Sequence, residues 1–274
     1  MESFETILIN KVDRVAIVTL NRGDVHNAFN PTMIFELTSV FGELGKDASI
    51  RAIVLTGAGK SFSAGADIKY MKASRDFTYE ENHEDAVRLE GLFNTIYNCP
   101  KPVIGKINGA AFGGGVGLIA VCDIVIAIES AKFAFSEVNL GILPAVISPY
   151  VMLKIGANAS RYFLTGERFE AYDAKQMGLI HEIATNTQEL NQKVADIIDQ
   201  LFSSSPAAMI QIKTLIDKNR NTDFEELRKY CINSIAEIRT TSEGREGLEA
   251  FLEKRRASWR LDQWKGRSDF QESS

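Results

Sequence analysis

The apolar positions of this chain change period several times before residue 200 and keep one helical period after it. Phe4 to Leu20 reads as two strands around a turn at Val12-Asp13-Arg14, and Val15 to Leu20 is an unbroken apolar run. Asn30-Pro31 has the form of a helix cap followed by a first-turn proline. Met33, Ile34, Leu37, Val40, Phe41 and Leu44 then recur at helical spacing up to Gly45. Ile50 to Thr56 is a near-continuous apolar run of the kind buried on both faces, and a glycine loop follows at Gly57 to Asp67. Lys72 to Glu84 is polar and is expected to be a mobile loop, whereas Val87, Leu89, Leu92, Phe93, Ile96 and Tyr97 form a helical stripe ending before Pro100. Strands are expected at Val103 to Ile107, Asp123 to Ile128 and Phe133 to Phe135. Strand, helix and strand in succession predict βαβ crossovers and an α/β class. Beyond Pro144 the pattern predicts helices at 158–165, 171–177, 187–203, 206–219, 223–240 and 243–257, with β signal only at Leu179 to Ala184.

The run Ser203-Ser204-Ser205-Pro206 marks the expected boundary between a core, 1–205, and a helical C-terminal region, 206–274. In that region Ile212, Leu215, Ile232, Ile235, Leu248 and Phe251 need a surface to cover them, which predicts self-association.

A hydrophobic content of 45% over 274 residues supports a sizeable core. The formal net charge of −5 argues against nucleic-acid binding as the main activity. Cys99, Cys122 and Cys231 are scattered, without a CxxC pair, and are read as packed thiols in a reducing compartment. The first twenty residues lack a basic region followed by a long apolar run, and no stretch reaches spanning length. The expected location is the cytoplasm, with no membrane or nucleic-acid partner.

The chemistry concentrates between Lys101 and Leu143. Gly113-Gly114-Gly115 sits where a strand becomes a buried helix, so bare N–H groups at a helix start face whatever lies ahead of them. Glu137 follows among Phe133, Phe135, Val138, Leu140 and Ile142, neighbours expected to desolvate it and raise its pKa toward acid–base use. Taken singly, such glycines are better read as permitting tight turns or a close helix–sheet approach. His26, His83 and His181 show no metal-ligand spacing, and Ser63, Ser136 and Ser148 have no nearby histidine. Asp67 has the position of a helix cap, and Asp123 that of a structural hydrogen-bond acceptor.

Four ordered segments, FSAGADIK at 62–69, NGAAFGGGVGL at 108–118, CDI with SEVNLG at 122–141, and LTGERFEAYDAKQMGLIHEI at 164–183, together with FLEKR at 251–255, resemble the crotonase (enoyl-CoA hydratase/isomerase) superfamily. The resemblance implies an α/β crotonase fold (ClpP/crotonase-like) of repeated ββα units with a helical trimerisation region, assembled as a homotrimer or a dimer of trimers. It implies an acyl-CoA thioester as substrate and no cofactor, coenzyme A being part of the substrate. By motif, the N–H groups of Ala64 and Gly114 would hold the thioester oxygen, and Glu137 would be the acid–base. Ala66, Asp67, Ile68 and Gly117 would line the substrate site, and Lys254 would reach the CoA phosphates across a subunit boundary.

Members with two catalytic acids carry the first of them twenty residues before the position of Glu137, where this chain has Gly117. A single carboxylate can still perform syn hydration of a 2-enoyl-CoA, or move a proton from C2 to C4 as an isomerase does. Gly117 is expected to leave space for water or for a bulky Cβ, which favours hydration. AAFGGGVGL, SEVNLGILPAVISPYV and RYFLTGERF resemble the methylglutaconyl-CoA and carboxygeranoyl-CoA hydratase branch, whose substrates are branched and carboxylated. Lys69, His83 and Arg88 are all candidates to meet that carboxylate. An isomerase and a non-catalytic acyl-CoA-binding protein are the other readings.

Overall fold

The computed structural model describes residues 4–270. The first sheet contains β1 (Ile7–Val12), β2 (Val15–Leu20), β3 (Ala52–Gly57), β5 (Val103–Ile107), β7 (Ile124–Ile128) and β10 (Glu182–Ala184), side by side in that order. Only the β1–β2 hairpin is antiparallel. All five residues of β5 are buried, as befits a strand covered on both faces. Helix α1 (Pro31–Lys46) carries the chain from β2 to β3. Asn30 caps it by accepting from Met33 N at 2.9 Å, and Met33, Leu37, Val40 and Phe41 are buried in the core.

A second sheet of four short strands holds β4 (Ser61–Ser63), β6 (Ala110–Phe112), β8 (Lys132–Ala134) and β9 (Phe169–Glu170). The first three are mutually parallel. Each is reached directly from the first sheet, β3 to β4, β5 to β6 and β7 to β8, and each is followed by a segment leading into helix. After β4 come α2 (Ile68–Ser74) and α3 (Tyr79–Tyr97); after β6, α4 (Gly114–Val121); after β8, a 3-10 turn (Ser136–Leu140) and α5 (Ser148–Ile155). This is the expected ββα repeat. Helices α6 (Ala159–Thr165) and α7 (Ala171–Gln176) flank β9.

Two differences from the sequence reading have local causes. The polar stretch Lys72 to Glu84 is largely helical, because Thr78 and Glu81 form a reciprocal capping box that starts α3 eight residues before its apolar stripe. Helix α5 was not anticipated, since Pro149 at its start interrupts the apolar pattern; a proline in the first turn costs no hydrogen bond.

The described residues form two compact units, 4–194 with 266–270, and 195–265, and the division falls within α8 (Thr187–Ser203). The second unit comprises the end of α8 with α9 (Pro206–Asn221), α10 (Phe224–Thr240) and α11 (Ser242–Leu252), the last three capped by Ser205, Asp223 and Thr241. Ile212, Ile232, Ile235, Leu248 and Phe251 are exposed on it. No helix of the described residues is long and apolar enough to cross a membrane.

Candidate active site

Three parallel strands end at one place. Strand β4 pairs with β6 through Ser63 and Ala111, and β6 with β8 through Phe112 and Ala134. The residues just past each strand are therefore neighbours: the Ala64–Asp67 loop, the Gly113–Gly114 turn and Glu137. Gly113 N donates to Ala134 O at 2.9 Å, extending the ladder by one rung. Ligands characteristically lie outside the carboxyl ends of parallel strands, and this corner is of that kind.

Glu137 lies in the 3-10 turn after β8. Its carboxylate rests against Gly113, so close that a Cβ at Gly113 would stand 2.9 Å from Oε1, and φ of +49° there is also a glycine conformation. Glu137 Oε2 is buried and has no hydrogen-bond partner. Burial pushes the carboxyl pKa up, opposed only by its own backbone N–H. The direction matches the sequence reading, but the surroundings do not. Phe133 and Phe135 are buried as expected, whereas Val138, Leu140 and Ile142 are exposed, so the packing against Gly113 takes their place.

The two bare N–H donors are not both where they were expected. Ala64 N donates to His26 O at 2.8 Å and is therefore occupied. Phe29 brackets the loop differently, donating from N to Gly65 O and accepting at O from Asp67 N, which leaves the N–H of Ala66 pointing away from the bridge. Among the described residues, neither Ala66 N nor Gly114 N has an acceptor. Gly114 abuts the Phe29 ring, and a Cβ on Gly65 would fall 3.7 Å from Gly114 N, which brings the loop that carries Ala66 against the turn that carries Gly114. Ala66 rather than Ala64 is thus the loop residue with a bare N–H. A parallel bridge hides alternate N–H groups, and this bridge, between segments more than thirty residues apart, was not legible in the sequence.

Gly117 requires the largest correction. It is buried one turn into α4, and a Cβ there would meet Ile147 Cγ2 at 2.4 Å and Phe93 Cε1 and Cζ at 2.9 Å. The space expected for water or substrate is filled by the end of the loop before α5 and by α3. Glycine is present because two side chains already occupy the volume.

Asp67 is spent on the protein. It caps α2 by accepting from Lys69 N at 2.7 Å and Tyr70 N at 3.3 Å, and it pairs with Arg22 Nη2 at 2.8 Å. Burial acts to raise its pKa, but the Arg22 guanidinium and the two N–H donors outweigh that and hold it below the usual carboxylate range. Its carboxylate is committed to the loop's framework. Asp67→Asn should preserve the cap and remove the charge, lowering stability at pH 7 by roughly 2–4 kcal/mol. A depressed pKa stabilises above the ordinary carboxylate range and loses that stability as pH falls through the folded value, so the gap between wild type and variant in thermal melts should close as pH falls below the ordinary carboxylate range.

Ile68 is 71% exposed at the start of α2, and Lys69 is exposed beside it. Arg88 lies 3.6 Å from Asp85 and 3.9 Å from Glu84, while Tyr70 donates its hydroxyl to Asp85. His83 leans on the Tyr79 ring. Lys254 is exposed in the 195–265 unit, at φ +55° just past α11. Asp123 accepts from Val103 N at 2.8 Å, the structural role expected of it.

A half-buried carboxylate with one unpartnered oxygen, close to two N–H groups without acceptors, is equipped to move a proton next to a carbonyl whose oxygen becomes anionic. Residues 10–262 match the enoyl-CoA hydratase/isomerase family, and the chain belongs to it. The short-chain-enoyl-CoA hydratase of Clostridium acetobutylicum is 31% identical over 253 residues, 91% of this chain and 95% of that protein. Crystal structures of enoyl-CoA hydratases from Shewanella pealeana (39% identity, TM-score 0.90, covering 93% of this chain and 96% of that one) and Mycobacterium smegmatis (30%, 0.89, 94% and 100%) share the fold.

Proposed function

We propose that this protein is a lyase that adds water reversibly across a 2-enoyl-CoA, with Glu137 as the acid–base and the N–H groups of Ala66 and Gly114 as the oxyanion hole. The observation that carries the reading is the buried, unpartnered Oε2 of half-buried Glu137, whose carboxylate lies against the same turn that presents Gly114 N. The thioester oxygen accepts from both donors. Protonated Glu137 gives its proton to Cα as water bonds to Cβ, and the reverse sequence dehydrates a 3-hydroxyacyl-CoA. Each aimed donor is worth on the order of 3 kcal/mol to the enolate-like charge. No cofactor enters, and CoA arrives with the substrate.

The substrate is read as branched and carboxylated, of the 3-methylglutaconyl-CoA type. Exposed Ile68 and Lys69 support it, an apolar and a cationic group beside the donor loop. Arg88, already beside two acids, is the weaker of the cationic candidates. The exposed Ile232, Ile235, Leu248 and Phe251 support assembly into a trimer or a dimer of trimers, in which Lys254 would serve a neighbouring CoA site. A cytoplasmic location accompanies this reading.

Isomerisation of a 3-enoyl-CoA is the second reading, and the filled space at Gly117 favours it, because that reaction needs no water. A panel of straight, 3-methyl-branched and carboxylated 2-enoyl-CoA and 3-enoyl-CoA esters tests both. Loss of the 2-enoyl thioester absorbance is expected with the carboxylated branched ester, at least tenfold faster than with straight chains. Conversion of 3-enoyl to 2-enoyl esters without any hydration would overturn the lyase reading.

A further inference from the structure

A polar pair joins the two elements whose side chains fill the blocked position, and nothing above uses it. Tyr150 of α5 is 8% exposed, and its hydroxyl donates to Glu90 Oε1 of α3 at 2.9 Å. Tyr150 lies one turn beyond Ile147, and Glu90 one turn before Phe93, the two side chains that fill the space over Gly117. The Tyr150 ring is 6.2 Å from that of Phe93 and 5.3 Å from that of Tyr97, so the phenol is fixed on its apolar side. Glu90 is exposed and in reach of water. The same two segments that exclude a carboxylate from α4 thus hold a hydroxyl and a carboxylate together one turn from the blocking side chains.

We propose that the Tyr150 hydroxyl and the Glu90 carboxylate form the second protic group of this site and activate the water that adds to Cβ. The inference rests on the lyase reading above. In the step, the water oxygen bonds to Cβ while one of its protons passes to Tyr150 Oη and the Tyr150 proton passes to Glu90. The π electrons of the double bond form the new Cα–H bond with the proton of Glu137. Glu90 ends protonated and Glu137 ionised, and exchange with solvent restores both. Burial and the Glu90 carboxylate push the phenol's pKa up, so Tyr150 stays protonated near neutral pH and relays without a standing phenolate.

The test compares wild type, Tyr150→Phe and Glu90→Gln in two assays: hydration of the preferred 2-enoyl-CoA, and exchange of the Cα proton of the matching saturated acyl-CoA in deuterium oxide. Exchange requires only Glu137 and the two N–H donors. Glu90→Gln still accepts the Tyr150 hydrogen bond, so a clasp between helices would survive it, whereas a proton acceptor would not. Hydration should fall about 10²-fold in both variants, with exchange reduced less than tenfold. Hydration at the wild-type rate in Glu90→Gln, or an equal fall of both reactions in both variants, would overturn the pair's role and leave the lyase reading standing. Exchange without hydration in the wild type would remove both.

Discussion

Glu137→Gln should lose activity by about 10³-fold in kcat while binding acyl-CoA as before, since a neutral amide cannot move the proton and the N–H donors of Ala66 and Gly114 are untouched. Steady-state kinetics with calorimetric titration of a non-reacting acyl-CoA separates the two effects. Retention of a tenth or more of the turnover would remove Glu137 from its role. The same variant should be more stable than wild type at pH 8. A carboxyl whose folded pKa is raised contributes its stability below the unfolded value, and the contribution is lost as pH rises through the folded value. The difference in melting temperature should therefore shrink toward pH 4. Gain in stability with loss of turnover would mark the unpaired Oε2 atom as strain kept for chemistry.

Gly117→Glu, which would restore the acid of the two-acid members, should not raise hydration and should destabilise the fold by about 3–5 kcal/mol. Overpacking against Ile147 and Phe93 adds to the cost of an unpaired buried charge. Denaturant titration measures this. If the protein does not accumulate, Gly117→Ala is the milder probe, expected to cost about 1–3 kcal/mol. Adding Ile147→Ala to it should recover part of the loss, because the nearer obstruction is that residue's Cγ2 at 2.4 Å. Full stability of Gly117→Glu would mean that the wall yields and that the glycine is not forced by packing.

Much of the frame could be read from the sequence. The turn at Asp13 and Arg14, the Asn30 cap, the buried run of β3 and the glycine start of α4 each have a short-range cause, and each was anticipated. Glu137 was legible for the same reason: its turn follows directly from β8. What escaped depended on contacts between distant segments. Strands β4 and β6 have three residues each, too few to show a period, yet their pairing brings the catalytic loops together. Which of Ala64 and Ala66 presents a bare N–H is decided by His26 and Phe29, more than thirty residues away. Whether Gly117 opens or closes a space is decided by Phe93 and Ile147, neither of which its own helix reveals.

The β4–β6–β8 ladder also has a bearing on redesign. Its three rungs act as separate tool-holders, with the donor loop, the helix-opening turn and the carboxylate each mounted on its own strand and each replaceable without remaking the others. A new reactive group grafted onto the connection after one rung inherits its aim from the ladder. One grafted into α4 must first displace the wall of Phe93 and Ile147. Variants of this chain with new chemistry should accordingly carry it at the strand ends and in the facing helices α3 and α5, the interior of α4 staying small for as long as Phe93 and Ile147 keep their places.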